Sequence, residues 1–212
     1  ETNGIKVNTK YLNQLSVEFE KDSLAIETKI YKLSGKKFNI GSPKQLGEIL
    51  FIDLKIQGAK KTKTGTFSTD SSTLSNLSDQ GFEIASLILE WRELTKLKST
   101  YTDALQNQAT KNKSRVHTSY GLANTLTGRL SSNDPNLQNI PIRTTNGRKI
   151  RKAFICDSKK ILMSFDYSQI ELRLAAEISG DTNFIKAFKN NEDIHSSTAS
   201  QIFNTNVESL NS

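Results

Sequence analysis

Apolar residues recur along the first part of the chain at helical spacing. Leu12, Leu15, Phe19, Ile26, Ile30 and Leu33 lie three, four or seven positions apart, which is one stripe of a long amphipathic helix. Gly35 stands where a left-handed residue would close that helix. Ser42-Pro43-Lys44-Gln45 offers an N-cap, a proline at the first helical position and a glutamine at the third, predicting a capping box that opens a short helix through Leu50. A third helix is expected from about Phe82 to Leu105, with Ile84, Leu87, Ile88, Trp91, Leu94, Tyr101 and Leu105 on its inner side. Between the second and third helices, residues 57–80 are rich in Gly, Ser, Thr and Lys and hold few core candidates. The first half of this stretch reads as a mobile tip, about residues 55–68, made cationic by Lys55, Lys60, Lys61 and Lys63. Such a tip is either a solvated loop or a phosphate-contacting one.

From Arg115 the texture changes. Val116–Tyr120 and Ile161–Phe165 read as strands, and residues 169–179, 182–190 and 194–203 as helices. The pattern predicts an α+β chain: a helical part over residues 1–114, then residues 115–212 with a small, mostly antiparallel sheet and helices. No internal repeat is present. In the second part, a short apolar run places one carboxylate, Asp166, between a strand and a helix. An acid there often serves as a cap or favours the positive helix end. Ser168 and Glu171 have capping-box spacing, with Ile170, Leu174 and Ile178 as the expected buried face of the helix. Upstream, Thr127 to Pro141 packs turn formers, one arginine and several amides into a segment that suits no regular core element. Its Arg129, Asn136 and Gln138 have an ordinary reading as loop hydrogen-bonding groups.

Charge narrows the partners. Lys and Arg outnumber Asp and Glu by 29 to 22, a formal +7, which favours a polyanion: nucleic acid or an acidic membrane surface. With 35% apolar and 24% charged residues the composition is that of a folded domain. The single cysteine, Cys156, forms no intramolecular disulfide and fits a reducing compartment, and two histidines with one cysteine exclude a Cys- or His-rich zinc site. No stretch approaches the roughly 20 apolar residues of a membrane span, and the N-terminus lacks an apolar signal region. A soluble, cytoplasmic protein is expected.

Asp166-Tyr167-Ser168-Gln169-Ile170-Glu171-Leu172-Arg173 resembles motif A of the family A (bacterial polymerase I-like) DNA polymerases. Thr127 to Pro141 is similar to that family's TGRLSS…DPNLQNIP segment, and Leu97-Lys98-Ser99-Thr100-Tyr101 resembles its thumb helix. The likeness runs in order from about Gly4 to beyond Phe203. It implies a helical thumb over residues 1–114 and the first part of a palm over residues 115–212. It also implies nucleotidyl transfer to a primer 3′-hydroxyl, with Asp166 as the catalytic ligand shared by two Mg²⁺ ions and the Tyr167 carbonyl joining the shell, an oxygen-donor set that suits hard cations in two-metal catalysis.

By the same resemblance Glu171 packs where the sugar of an incoming deoxynucleoside triphosphate sits and acts as a steric gate against ribonucleotides. Gln169 lies near the nucleotide and primer. His195 lies near the nucleotide's phosphates, or is simply a first-turn residue beside a cap at Asp193. Arg129, Asn136 and Gln138 become minor-groove contacts at the primer–template junction, where donors meet an acceptor in every base pair and test pair shape without reading sequence. Arg92, Lys96 and Lys98, expected on the outer side of the third helix, resemble a DNA-tracking face, with a solvated side as the alternative. Arg143, Arg148, Lys149, Arg151 and Lys152 suggest phosphate contacts. Arg173 either pairs with a surface acid or serves the site, and His117 is read as structural.

The family's nucleotide-binding fingers helix and its later His-Asp-Glu turn are not found in this sequence. The expectation is therefore a piece of a larger polypeptide, inactive alone but able to bind DNA. A DNA-binding module without catalysis and a single-subunit RNA polymerase-like palm are the competing readings.

Overall fold

In the computed structural model, which describes residues 1–62 and 65–203 apart from the side chains of His195, Ser197 and Gln201, helix α1 (Thr9–Ser34) starts where the Asn8 carboxamide accepts from the Tyr11 N–H at 3.0 Å. It ends at Gly35 in the left-handed region, φ 70°. The expected stripe faces inward: Leu12, Leu15, Phe19, Ile26 and Ile30 are buried, whereas Leu33 is exposed. Helix α2 (Pro43–Glu48) has its cap at Ser42, but the Gln45 side chain accepts from Asn39 N–H rather than closing the reciprocal half of a capping box. The helix then widens into a π-helical segment, Ile49–Asp53.

Helix α3 (Ser71–Asp79) was not expected from the Ser-rich sequence. Asp70 makes it, accepting from Thr73 N–H at 2.7 Å and from the Ser68 and Ser72 hydroxyls at 2.8 Å each. Those bonds, that of Thr73 N–H foremost, hold its carboxyl well below the usual range. Leu74 and Leu77 supply the buried face. Helix α4 (Glu83–Lys96) continues through a π-helical segment, Leu97–Asp103, into α5 (Ala104–Lys111). Thr95, Ser99 and Thr102 each send their hydroxyl to the carbonyl four residues back, a back-bonding that loosens and bends helices. The inner residues predicted for this run are buried, with Trp91 partly so.

The sheets are small and antiparallel. Strand β1 (Ile5–Val7) lies between β2 (Arg115–Val116) and β5 (Phe154–Ile155), with Ile5 opposite Val116 and Val7 opposite Phe154. Strands β3 (Ser119–Gly121) and β4 (Ser131–Asn133) form a second pair. The run expected as one strand over Val116–Tyr120 is thus two, because Val116 pairs with β1 while Tyr120 pairs with Ser132. Helix α6 (Thr145–Arg151) separates β4 from β5 and is capped by Thr144. The result is the α+β class read from the sequence.

The chain divides into two compact units, Glu1–Leu162 and Met163–Ser212. The first holds the large core, where the buried faces of α1, α3, α4 and the π-helical segment behind α4 meet. In the second, α7 (Ile170–Ser179), α8 (Thr182–Lys189) and α9 (Ile194–Phe203) pack in sequence.

Three expectations fail around Asp166. Ile161–Phe165 is not a strand: it makes no ladder, and Ile161 and Phe165 are 77% and 86% exposed. An apolar run becomes a strand only where another strand offers hydrogen bonds. The capping box at Ser168 does not form, since α7 opens from Gln169 in the left-handed region with no side-chain cap. Ile170, Leu174 and Ile178 are exposed, and Ala176 is the buried residue of α7.

A half-buried network ties α1 to the π-helical segment: the Ser16 hydroxyl and Lys98 ammonium both donate to Asp103. Burial alone would raise the Asp103 carboxyl, but the Ser16, Lys98 and Thr102 bonds outweigh it and bring it below the usual range.

Phe19 is fully buried, so Phe19→Ala should lower the unfolding free energy of the first unit by about 3–5 kcal/mol in urea titrations; a loss below about 1 kcal/mol would mean the α1 interface is not its core. For Asp103 the folded pKa lies below the unfolded one of about 3.9, so its contribution is full above that value and disappears as pH falls through the lower folded value. Asp103→Asn is expected to be less stable than the native chain at pH 7, with the difference closing below about pH 4; a gap independent of pH would contradict the assignment.

Candidate nucleic-acid interface and carboxylate site

A cleft of about 700 Å³ opens in the first unit between the α4 run and the loop that follows β4. Arg92, Lys96, Thr100 and Tyr101 line one side, and Asn136, Asn139 and Pro141 the other. Two segments singled out in the sequence, far apart along the chain, therefore share one wall-to-wall site. A concavity of this size with a few converging polar groups is the usual form of a binding site.

The cations of the α4 run are not equally available. Lys96 is exposed. Arg92 is half-buried and turned back on the protein, donating to the Thr69 carbonyl and, at 3.3 Å, to the Thr69 hydroxyl. Burial lowers its pKa, with Asp70 nearby opposing the shift. Lys98 is likewise turned inward, and its hydrogen bond to Asp103 raises its pKa. The expectation that all three lie on the outer side is corrected for Arg92 and Lys98: each has an acceptor within the fold whose hydrogen bond offsets the desolvation of turning inward.

The loop beyond β4 is fastened from below by a buried knot of hydroxyls. Thr118 and Ser132 are 6% and 1% exposed. Their oxygens lie 2.7 Å apart, and Thr118 donates toward the carbonyls of Asn133 and Pro135, both at 2.9 Å. Ser132 accepts in turn from Leu137 N–H at 3.1 Å. Buried polar groups satisfied among themselves fix a backbone closely. The Tyr101 hydroxyl, its pKa raised by burial, donates to the Asn139 carbonyl and anchors the far end of the loop to the π-helical segment.

On this base the exposed side chains also bond locally. Asn136 accepts from Gln138 N–H at 3.0 Å, and the Gln138 carboxamide donates to the Leu130 carbonyl at 2.8 Å. Arg129 is exposed, with its own carbonyl accepting from Thr125. The loop-bonding role expected of such amides is present, and Arg129, Asn136 and Gln138 all remain at the surface. Arg148 donates to the Arg143 carbonyl at 2.7 Å, Arg151 to the Ile140 carbonyl at 3.4 Å, and Lys149 pairs with Glu18. These basic groups thus serve the loop's own carbonyls while their side chains stay largely exposed at 148 and 151.

In the basic tip, Lys60 and Lys61 are exposed and Lys63 lies outside the described residues. The tip is anchored at Phe67, whose backbone bridges to Lys61 and whose ring lies under the Lys61 ammonium at 5.8 Å. Phe67 also presses on α2: a Cβ built on Gly47 would stand 2.8 Å from its Cβ.

The second unit carries the remaining candidates. Asp166 and Tyr167 are exposed on the extended segment before α7. Gln169 adopts φ 54°, a conformation uncommon for a residue with a side chain. Glu171 is exposed in the first turn of α7. Arg173 pairs with no acid in the described contacts; its guanidinium lies 4.6 Å from the Phe188 ring centroid and its Nε donates to the Ser168 carbonyl. Asp193 caps α9 by accepting from Ser196 N–H, so His195 occupies the first turn, its side chain outside the described residues. His117 donates its Nδ1–H to the Glu1 carbonyl at 2.8 Å.

A divalent ion of the Mg²⁺ type wants about six oxygen donors. Asp166 and the Tyr167 carbonyl are of the right chemistry, but among the described residues no group of three or more His, Cys, Asp or Glu side chains could hold a metal ion. These two oxygen donors are fewer than such an ion requires.

The residues missed by sequence reasoning are those that hold the loop: Thr118, Ser132 and the hydroxyl of Tyr101. For Tyr101 a signal existed, because a tyrosine on a buried helical stripe needs a partner for its hydroxyl. No helix among the described residues is long and apolar enough to cross a membrane.

Comparison with known proteins gives concordant results. The model of DNA polymerase family A matches residues 9–212. DNA polymerase I of Rhizobium leguminosarum is 51% identical over 210 residues, which are 99% of this chain and 21% of that protein. DNA polymerase I of Geobacillus stearothermophilus is 47% identical over 211 residues, 99% of this chain and 24% of the relative. Among solved structures, the POL domain of Pol1 from M. smegmatis, in complex with DNA primer-template and dNTP, superimposes with a TM-score of 0.89 at 40% identity, over 99% of this chain and 37% of that one. The chain thus spans about a fifth to a quarter of the length of these curated relatives. With the family's pattern running from residue 9 to residue 212, the chain belongs to DNA polymerase family A.

Proposed function

We propose that this chain forms the thumb (residues 1–114) and the first part of the palm (residues 115–212) of a DNA-templated DNA polymerase of replication or repair, working in the cytoplasm. The observation that carries the proposal is the cleft in the first unit, where Lys96 of the α4 run faces Asn136 and Asn139 of a loop held by buried hydroxyls. A rigid amide-bearing loop opposite a cationic helix suits a duplex whose minor-groove acceptors are tested for shape while its phosphates are met by lysine and arginine. Primer–template DNA is the partner, and deoxynucleoside triphosphates are the substrates of the whole enzyme.

In that enzyme Asp166, with the Tyr167 carbonyl, would hold one edge of the metal site. Divalent ions bound there would lower the pKa of the primer hydroxyl and neutralise charge on the departing pyrophosphate. Glu171, rooted in the first turn of α7, excludes a ribose 2′-hydroxyl by occupying its place. Gln169 and His195 attend the nucleotide, and Arg129, Gln138, Arg148 and Arg151 the DNA. One carboxylate cannot complete two metal shells, so this chain alone binds DNA without turning over nucleotides.

Purified alone, the chain should bind primer–template duplex in fluorescence anisotropy with an affinity that falls about 10³-fold between 50 and 200 mM salt if about six phosphates are contacted. No primer extension should accompany it, and measurable extension would overturn the incomplete-site reading. In the full-length parent, Glu171→Ala should raise the ratio of ribonucleotide to deoxynucleotide incorporation, read as kcat/KM for each; unchanged sugar selectivity would remove Glu171 from the gate.

A further inference from the structure

A second cleft, of about 740 Å³, shares no lining residue with the first and is far more basic. Residues of all three strands of the β2-β1-β5 sheet line it. There the register sets Lys6 directly opposite Arg115, so two cations project from the same face of neighbouring strands. Like charges so placed destabilise a sheet unless something neutralises them. Asp157 does so, taking Lys6 at 3.2 Å, Arg115 at close range and Lys160 at 3.7 Å. Lys6, by its hydrogen bond, is the largest of the influences that lower its pKa, and it stays ionised.

The balance of charge remains strongly positive. Lys111 and Lys113 join Lys6, Arg115 and Lys160 around the cleft, and Asp157 is the carboxylate among the lining residues. Arg115 is further immobilised by donating to the carbonyls of Asn3 and Gly4 at 3.1 and 3.2 Å. Five cations from two neighbouring strands, a helix end and loops thus converge on a concavity of small-molecule size, with one of them locked in place. Convergence onto a pocket suits a compact anion bearing several charges, whereas a duplex backbone tracks along an extended stripe.

We propose that this cleft is a binding site for a compact polyphosphate anion, separate from the duplex-binding cleft, with Lys6, Lys111, Lys113 and Lys160 as its ligands and Arg115 and Asp157 as its fixed frame. The probe is inorganic pyrophosphate, titrated calorimetrically into the purified chain at low salt. Saturable binding to one site is expected. Lys111 and Lys113 are exposed, so the double variant Lys111→Gln, Lys113→Gln should keep its melting curve, weaken pyrophosphate binding by about tenfold and leave duplex affinity unchanged. No saturable binding, or binding that the double variant does not weaken, overturns the site. Displacement of bound pyrophosphate by excess duplex DNA would overturn its separateness and assign these lysines to nucleic-acid backbone instead; retention of pyrophosphate supports the compact-anion reading.

Discussion

Burial of one face of α1 against α4 and the π-helical segment behind it fixes the position of everything functional in the first unit. Each fully buried Leu, Ile or Phe of that interface is worth about 1.5–3 kcal/mol, and Leu12, Phe19, Ile30, Ile88, Leu94 and Leu105 are all sealed. The rod so anchored brings Tyr101 to the loop carbonyl at Asn139 and leaves Lys96 on the open side. The loop is then held at two places of different chemistry: a hydrophobically seated tyrosine at one end and a hydroxyl knot at Thr118 and Ser132 at the other. Neither of these two holds uses a charged group, and Arg148 and Arg151 add bonds to the carbonyls of Arg143 and Ile140.

Positive charge in this chain does two kinds of work. Arg92, Lys98, Arg115, Arg148 and Arg151 spend donors on carbonyls or carboxylates of their own fold. Lys60, Lys61, Lys96, Lys111 and Lys113 stand in solvent. An arginine's planar fork satisfies several acceptors at once, as Arg115 does with Asp157 and the carbonyls of Asn3 and Gly4, whereas a lysine's compact ammonium stays hydrated in solvent at low cost.

Much of this was legible in the sequence. The α1 stripe, its Gly35 stop and the inner face of the α4 run follow from helical period and cap chemistry alone, and the resemblance carried by Asp166–Arg173 and Thr127–Pro141 pointed to the correct family. What was not legible depended on partners. Helix α3 hides behind serines and is made by three bonds to Asp70; α6 contains Gly147, a poor helix residue, buried in the structure. Ile161–Phe165 has the composition of a strand and lacks a ladder among the described residues. Ser168 and Glu171 have capping spacing, yet Gln169 takes the left-handed turn that begins α7. Period and composition describe what a segment prefers; neighbours decide whether it gets it. The outward direction of Arg92 and Lys98 was misread for the same reason, since helical phase does not reveal an acceptor waiting on an adjoining element.

Ile161, Leu162, Met163 and Phe165 form a run of apolar side chains open to solvent beside a chain that carries a net +7. Between molecules the two features oppose each other: the exposed apolar run favours hydrophobic contact between copies, and mutual repulsion of cationic surfaces keeps them apart. Salt weakens only the second, with a screening length near 8 Å at about 0.15 M. On this balance dilute electrolyte favours dispersed copies of the chain, and concentrated electrolyte, such as strips nucleic acid during purification, favours self-association.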